Sequence, residues 1–280
     1  MQQLKQRPPK LFTIGLYLTT FIIAMSLWMG SAWAAPSFWQ TPSLCADIAA
    51  ESAMTAEELA TLESQGDQLR SQKQYTDAIK AYCQVLAQAS AEDAAHAGLL
   101  NKLAEAYRGA EQDSQAVAAY EAAITLYTDL EMAPNAAGVL EALGRHHNAM
   151  KRGAAAVTAF EQALALRQEL DNDAATAGTW SQLAGAYANA GEDAEAIKAF
   201  QQAVALYAAT DNDDSAANVL EALGRYYRSI KQSAEAVSAF EEALALREAL
   251  GDDAKTANTY NQLAGAYQDE IGRASCRERV

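Results

Sequence analysis

Residues 177–216 read AGTWSQLAGAYANAGEDAEAIKAFQQAVALYAATDNDDSA, and residues 217–256 read ANVLEALGRYYRSIKQSAEAVSAFEEALALREALGDDAKT. The two stretches align without a gap. Units in the same register begin at Ala97 and Ala137, a more divergent copy begins at Leu59, and a further copy begins at Ala257. Self-similarity at a fixed period is the signature of a repeat architecture, in which each unit packs against its neighbours. The body of the chain is therefore predicted to be an array of small structural units.

Each unit has the spacing of two packed helices. In the first half a leucine precedes an aromatic residue by four positions, as Leu183 precedes Tyr187. In the second half alanine, phenylalanine and alanine follow each other at spacings of four and three, as in Ala196, Phe200 and Ala203. Such spacings place side chains on one helical face. Small residues there let two helices approach closely, and aromatic rings fill the gaps between them.

The order of these sites resembles the tetratricopeptide repeat family over roughly residues 57–270: Trp or Leu, then Leu-Gly or Leu-Ala, Tyr, Ala, Phe and Ala. The common repeat is about 34 residues, whereas these units have the longer period seen in kinesin light chains and in bacterial tetratricopeptide proteins. The resemblance implies an all-α fold, a right-handed solenoid of helical hairpins with about five repeats and the first helix of a sixth. It also implies a second helix longer than usual and a concave groove lined mainly by the first helices.

The N-terminal residues have the pattern of a signal peptide. Three basic residues precede an apolar stretch at 11–30, and the sequence AWA at 32–34 has the small-x-small form of a cleavage site. Residues 1–34 are therefore predicted to be removed, which leaves an N-terminal segment at 35–56 on an exported protein, periplasmic or secreted. Because the apolar stretch is long for a signal peptide, the alternative is an uncleaved membrane anchor with the array facing outward.

The charge of the chain limits the classes of partner. The formal net charge is −15 and the sequence pI is about 4.6. Nucleic-acid-binding proteins need a dense basic surface, so this balance argues against nucleic acid as a partner. Contact with a membrane is expected only if the N-terminal segment is uncleaved. The predicted partner is a protein or a peptide, and self-association through uncapped repeat ends is a further expectation.

The sequence offers no arrangement typical of catalysis or of cofactor binding. No Ser/His/Asp, Cys/His or HExxH pattern and no Gly-rich phosphate loop stands out. The acidic turns, such as DNDD at 211–214, lack the spacing of a calcium loop and are better explained by helix capping. We therefore predict no metal, no cofactor and no enzymatic activity. The alternative, implied by the resemblance to bacterial chains, is the interaction arm of a larger protein with a downstream caspase-like peptidase domain.

Candidate ligand-binding residues come from first-helix positions that avoid the leucine–aromatic face. Arginine can hold a carboxylate and asparagine can bind a peptide backbone, so we expect peptides with acidic groups as ligands. The alternative is that these are ordinary exposed helix positions. The predicted groove residues are Asn101, Arg108, Arg145, Asn148, Asn189, Asn218, Arg225, Arg228, Asn258 and Asn261.

Two cysteines of the predicted mature chain, Cys45 and Cys83, are candidates for a disulfide. Outside the cytoplasm such a bridge would pin the N-terminal segment to the first repeat. The alternative is that Cys83 is simply a small buried residue of its helix.

The last ten residues, IGRASCRERV at 271–280, depart from the repeat. The register requires a turn and a helix with the alanine–phenylalanine–alanine face, and neither is present. The stretch resembles one reading frame of a sequencing-library adapter, so it is predicted to be a non-native tail. The alternative is a genuine short basic end of the protein.

Overall fold

The computed structural model describes residues 44–45, 53–89, 93–170 and 172–277, with the backbone alone for 273–277. These ranges contain eleven α-helices and no strand, as the sequence predicts: α1 (Ala56–Ser71), α2 (Tyr75–Leu86), α3 (Ala94–Gly109), α4 (Asp113–Asp129), α5 (Ala133–Ala149), α6 (Gly153–Glu169), α7 (Asp173–Ala190), α8 (Asp193–Ala209), α9 (Asp213–Ser229), α10 (Ser233–Leu250) and α11 (Asp253–Arg277). The predicted signal segment, 1–34, lies outside the described residues. None of the described helices combines the length and the apolar composition needed to cross a bilayer.

The helices form five hairpins followed by one further helix. Odd-numbered helices are the first helices of the units and even-numbered helices are the second helices. Each helix packs against the next, and α5 also contacts α7 while α9 contacts α11. The first helices of these two pairs of neighbouring units therefore meet directly. The second helices α4, α6 and α8 have 17 residues and α10 has 18, which agrees with the long second helix expected for this repeat, whereas α2 has only 12.

Close helix contacts depend on glycine opposite phenylalanine. Phe160 and Phe240 are completely buried. A Cβ atom added at Gly144 would lie 2.8 Å from the ring of Phe160, and one at Gly224 would lie 2.8 Å from the ring of Phe240. The rings of Phe160 and Phe240 thus pack directly on the backbones of α5 and α9, as the glycine at this position predicts.

The polar turns between units start the first helices. The side-chain oxygens of Asn172, Asn212 and Asp252 accept hydrogen bonds from the backbone amides three residues later, at 3.1, 3.2 and 3.1 Å. Side-chain caps of this kind satisfy amides that have no partner within the helix. Within the described ranges, no cluster of three or more His, Cys, Asp or Glu side chains is arranged to hold a metal ion.

The turn between the two helices of a unit contains a residue with positive φ. The angles are 57° at Lys151, 80° at Gly191 and 65° at Lys231. The equivalent residue of the last unit is Ile271, and a β-branched side chain strongly disfavours positive φ. In keeping with this, α11 does not turn but continues as one helix to Arg277.

The N-terminal segment is attached to the first hairpins. Cys45 and Cys83 form a disulfide, with their Cα atoms 5.5 Å apart. The Tyr107 hydroxyl donates a hydrogen bond to the Leu44 carbonyl, and Leu44 and Cys45 pack against the core of the first units. Cys83 is also 1% exposed, so it is both bridged and buried.

Candidate functional site

Several predicted groove residues lie on a shared surface of consecutive first helices. The Nη1 atom of Arg145, on α5, donates to Oε1 of Gln182, on α7, at 2.9 Å. Two units further along, Nη1 of Arg225, on α9, donates to Oε1 of Gln262, on α11, at 3.0 Å. Both pairs are 37 residues apart, about one helical turn less than a unit. Each guanidinium therefore reaches forward onto the next first helix.

A second row of contacts joins the same helices. Nδ2 of Asn189 donates to Oδ1 of Asn148 at 3.1 Å, and Nε of Arg228 donates to Oδ2 of Asp269 at 2.8 Å. These partners are 41 residues apart, one unit plus one residue. We call the surface defined by both rows the first-helix face; it comprises Arg145, Asn148, Gln182, Asn189, Arg225, Arg228, Gln262 and Asp269.

Three other predicted groove residues make different contacts. Oδ1 of Asn218 accepts from Nη2 of Arg247, on α10, at 2.6 Å, so this side chain is tied to a second helix. Asn101 is half-buried, and its Oδ1 atom is buried without a hydrogen-bond partner among the described residues. Arg108 is exposed and pairs with Glu105 of its own helix. The remaining two, Asn258 and Asn261, are exposed on α11.

Glycine alternates with arginine along the first-helix face. The residue equivalent to Arg145 is Gly185 in the next unit, and the residue equivalent to Arg225 is Gly265. A Cβ atom added at Gly185 would meet nothing within 4 Å. The surface of α7 beside Arg145 is therefore open and leaves room for a ligand.

A buried carboxylate lies beneath the second arginine. Oε1 of Glu221 accepts hydrogen bonds from Nε of Arg247 at 3.1 Å and from Thr259 at 2.7 Å. Its other oxygen, Oε2, accepts from Nε2 of Gln262 at 3.4 Å and lies 3.9 Å from Nη1 of Arg225. Glu221 thus links the buried Arg247 to Arg225 and Gln262 of the first-helix face.

The same cluster occurs two units earlier. Oε1 of Glu141 accepts from Nε of Arg167 at 3.0 Å and from the hydroxyl of Thr179 at 2.7 Å. In the unit between the two clusters the equivalent residues are Ser181, Tyr207 and Val219, which carry no charge. The alternation supports a duplicated pair of units, and it was visible in the sequence as glutamate and arginine recurring at every second unit.

The sequence did not single out the partners of the predicted residues. Gln182, Gln262 and Asp269 are common polar residues, and their role follows only from the register of one first helix on the next. The 40-residue period would have found them, because residues about one helical turn short of the same position in the next unit, or one residue past it, are neighbours in space.

The comparison with protein families agrees with the repeat pattern. The family model described as tetratricopeptide repeat matches residues 135–209 and 175–249. A comparison with curated protein sequences found no match.

Solved structures share the fold at low sequence identity. The nearly identical TPR-like repeats of a putative kinesin light chain from Podosopora anserina are 22% identical with a TM-score of 0.60, over 70% of this chain and 98% of that one. BtubC (BKLC) from P. vanneervenii is 20% identical with a TM-score of 0.56, over 78% and 85%. Aspartyl phosphate phosphatase F from Bacillus subtilis is 14% identical with a TM-score of 0.62, over 77% and 58%. Residues 135–249 therefore match tetratricopeptide repeats, and the solved structures share the fold of the array.

Proposed function

We propose that the chain is a non-enzymatic scaffold that works outside the cytoplasm and binds a protein or peptide ligand along the first-helix face. Repeat solenoids present extended surfaces for such ligands. The observation that carries the proposal is the recurrence of an exposed arginine bonded to a glutamine of the next first helix, at Arg145 and again at Arg225. Two equivalent polar positions on one surface suit a ligand that runs along several units.

The chemistry of these arginines favours an acidic ligand. The Arg145 guanidinium is exposed, and its hydrogen bond goes to a neutral amide. A carboxylate accepts two parallel hydrogen bonds from a guanidinium and is a stronger partner than an amide. Asn148 and Asn189, on the same face, offer amide groups that can pair with a peptide backbone. The proposed ligand is a peptide with acidic side chains, held through both its charge and its main chain.

The disulfide supports the proposed location. Disulfides persist in oxidising compartments and are rare in the cytoplasm. The Cys45–Cys83 bridge is therefore consistent with export, either as a periplasmic or secreted protein or as one anchored by its N-terminal segment. A downstream peptidase domain, the alternative from the family resemblance, stays a prediction, and the same face would serve such a protein as its interaction arm.

The test is a double charge reversal on the first-helix face. A display library of short random peptides is selected on the wild-type chain, and the selected peptides are then measured on Arg145→Glu/Arg225→Glu. We expect enrichment of acidic peptides and at least a tenfold loss of affinity in the variant, because each charge-assisted hydrogen bond contributes about 1.5–3 kcal/mol. The helical circular dichroism signal should be unchanged.

The matched control reverses two charges on second helices. Lys80→Glu/Lys198→Glu has the same net charge as the test variant, and both lysines are exposed, with 60% and 72% of their side chains accessible. Equal loss of affinity in both variants would show a general charge effect. Unchanged affinity in Arg145→Glu/Arg225→Glu would remove the first-helix face from the binding role.

A further inference from the structure

Two cavities open between consecutive second helices, away from the first-helix face. The α4/α6 furrow encloses about 430 Å³ above a floor of Leu140, Leu143 and His147 from α5. The α8/α10 furrow encloses about 350 Å³, and each residue that lines it stands two units after a lining residue of the α4/α6 furrow. Volumes above about 300 Å³ are those of ligand-binding clefts. The duplicated units thus carry a duplicated cavity.

The size of one floor residue distinguishes these furrows from the α6/α8 interface. The two open furrows have Leu140 and Leu220 at this register position, whereas the intervening unit has Trp180. Trp180 packs against the buried cluster of α6 and against that of α8. An indole ring fills space between second helices that leucine leaves empty.

A polar group on the floor also differs between the interfaces. The hydroxyl of Tyr187 donates to Glu161 at 2.7 Å, and that of Tyr267 donates to Glu241 at 2.5 Å, each on the preceding second helix. The equivalent residue of the α8/α10 furrow is Tyr227, whose hydroxyl makes no hydrogen bond within the described part of the chain.

In the α4/α6 furrow the equivalent residue is His147. Its Nδ1 atom is buried and has no hydrogen-bond partner among the residues described. Burial lowers the pKa of His147, and the neighbouring His146 and Arg152 lower it further, so the ring is neutral near pH 7. Buried polar atoms in folded proteins are normally hydrogen-bonded, so the unsatisfied Nδ1 atom of His147 is unusual.

The chain itself shows what such a furrow can hold. Tyr107, on α3, occupies this floor position one unit before His147. Its hydroxyl donates to the main-chain carbonyl of Leu44. Leu44 and Cys45 pack against the surrounding core, and Cys45 is bonded to Cys83 of α2. A short segment therefore supplies an apolar side chain and a carbonyl acceptor at a position equivalent to the two open furrows.

We propose that the α4/α6 and α8/α10 furrows each bind a short protein segment that presents a leucine-like side chain and a backbone carbonyl, as Leu44 does beside Tyr107 and α2. The acidic rims, Glu121 in one furrow and Glu235 and Glu242 in the other, select segments with flanking lysine or arginine. This surface is separate from the first-helix face and does not depend on the proposed function.

The probe is a synthetic peptide that copies residues 41–48 with serine in place of Cys45 and one added lysine at each end, KTPSLSADIK. It is titrated into the intact, disulfide-bonded chain, in which Leu44 and Cys45 are already in place. We expect saturable binding of two peptides per chain. Replacing the peptide leucine by alanine should weaken binding about tenfold or more, because it removes buried apolar surface.

Two kinds of variant locate the peptide. Leu140→Trp and Leu220→Trp introduce the residue that Trp180 provides in the same register, and each should remove one binding site. Tyr227→Phe removes only a hydroxyl and should weaken binding at one site by about threefold to tenfold; it serves if a tryptophan variant fails to fold. Absence of saturable binding, or binding unchanged in Leu140→Trp/Leu220→Trp but lost in Arg145→Glu/Arg225→Glu, would overturn the proposal.

Discussion

Arg247 lies almost completely inside the array, with 1% of its side chain exposed. Its guanidinium donates to Glu221 at 3.1 Å, to Asp214 at 2.5 Å and to Asn218 at 2.6 Å. A hydrogen bond from Lys255, and then one from Arg247, lower the pKa of Asp214 and keep it ionised. A buried guanidinium is tolerated only when its charge and its donors are matched, so these residues fix how α9 and α10 meet.

Glu221→Ala should destabilise the last hairpins by about 3 kcal/mol, because it leaves a buried arginine with only part of its hydrogen-bonding partners. Glu141→Ala should cost less, since its partner Arg167 is 16% exposed and can reach water. Hydrogen exchange of amides in α9 and α10, or in α5 and α6, measures each effect locally.

A triple replacement controls for loss of charge alone. Glu221→Ser, Arg247→Tyr and Thr259→Val together introduce the uncharged set found in the intervening unit, at Ser181, Tyr207 and Val219. This variant should keep more stability than Glu221→Ala. If the triple variant is less stable than Glu221→Ala, the remaining arginine and its hydrogen bonds stabilise the hairpins more than the uncharged set does.

Two adjacent histidines on α5 replace tyrosines found two units later. His146 is 2% exposed, and its Nε2 atom lies 3.7 Å from Oδ1 of Asp113. The hydroxyl of the equivalent residue, Tyr226, donates to Oδ1 of Asp193 at 2.6 Å. Burial lowers the pKa of His146; Asp113 opposes this shift, and Arg108 and Arg152 add to it.

The lowered histidine pKa values predict a pH-dependent stability. A histidine in the unfolded chain has a pKa of about 6.5, whereas His146 and His147 have lower pKa values in the folded chain. Below about pH 6.5 the unfolded chain therefore binds more protons than the folded chain. The free energy of unfolding should therefore be highest above about pH 7 and fall as the pH drops through about 6.5 toward 5. His146→Tyr/His147→Tyr, which reproduces the equivalent tyrosine pair, should remove this slope. Parallel pH profiles for the two proteins would assign the slope to other groups.

At the scale of secondary-structure elements, Leu44 and Cys45 of the N-terminal segment cover part of the first hairpins. Its attachment combines a disulfide, a hydrogen bond from Tyr107 and apolar packing. A solenoid lacks a preceding unit at its first hairpin, so some apolar surface there needs another partner. Leu44 and Cys45 supply part of it.

Cys45→Ser should lower the local stability of α2 and α3 without affecting α8 and α9. A bridge across 38 residues restricts the unfolded chain by an amount worth up to about 4 kcal/mol. Amide hydrogen exchange should accelerate in the first two hairpins, and mild reduction of the wild-type chain should reproduce the effect. An equal change in α8 and α9 would mean that the array unfolds as one cooperative unit.

The helical elements were largely predictable, whereas their fine contacts were not. Repetition fixes the helix pairs, since Phe160 and Gly144 recur as Phe240 and Gly224 at the same register. The groove prediction rested on helix faces alone, and that criterion cannot show that Asn218 turns toward α10. Nor could spacing show that Leu44 docks against the first hairpins, because the segment before α1 is not part of the repeat.

For the whole molecule, the repeat architecture confines the effect of a substitution on stability to the units near it. Each unit contacts mainly its neighbours, so changes in one hairpin stay local to first order. The two surfaces also divide: first helices carry guanidinium and amide groups, and second helices border apolar furrows with acidic rims. The two proposals together assign an acidic segment to one surface and a basic, apolar segment to the other.

The most direct measurement is photo-crosslinking of an acidic peptide selected on the wild-type chain. A photoreactive residue replaces Gly185, whose surroundings are open for a side chain, and in a second protein it replaces Gln202, which is exposed on α8. The first-helix face predicts strong crosslinking at position 185 and little at 202, with the crosslink at 185 lost in the Arg145→Glu/Arg225→Glu background. Crosslinking at 202 with none at 185 would contradict ligand binding on the first-helix face.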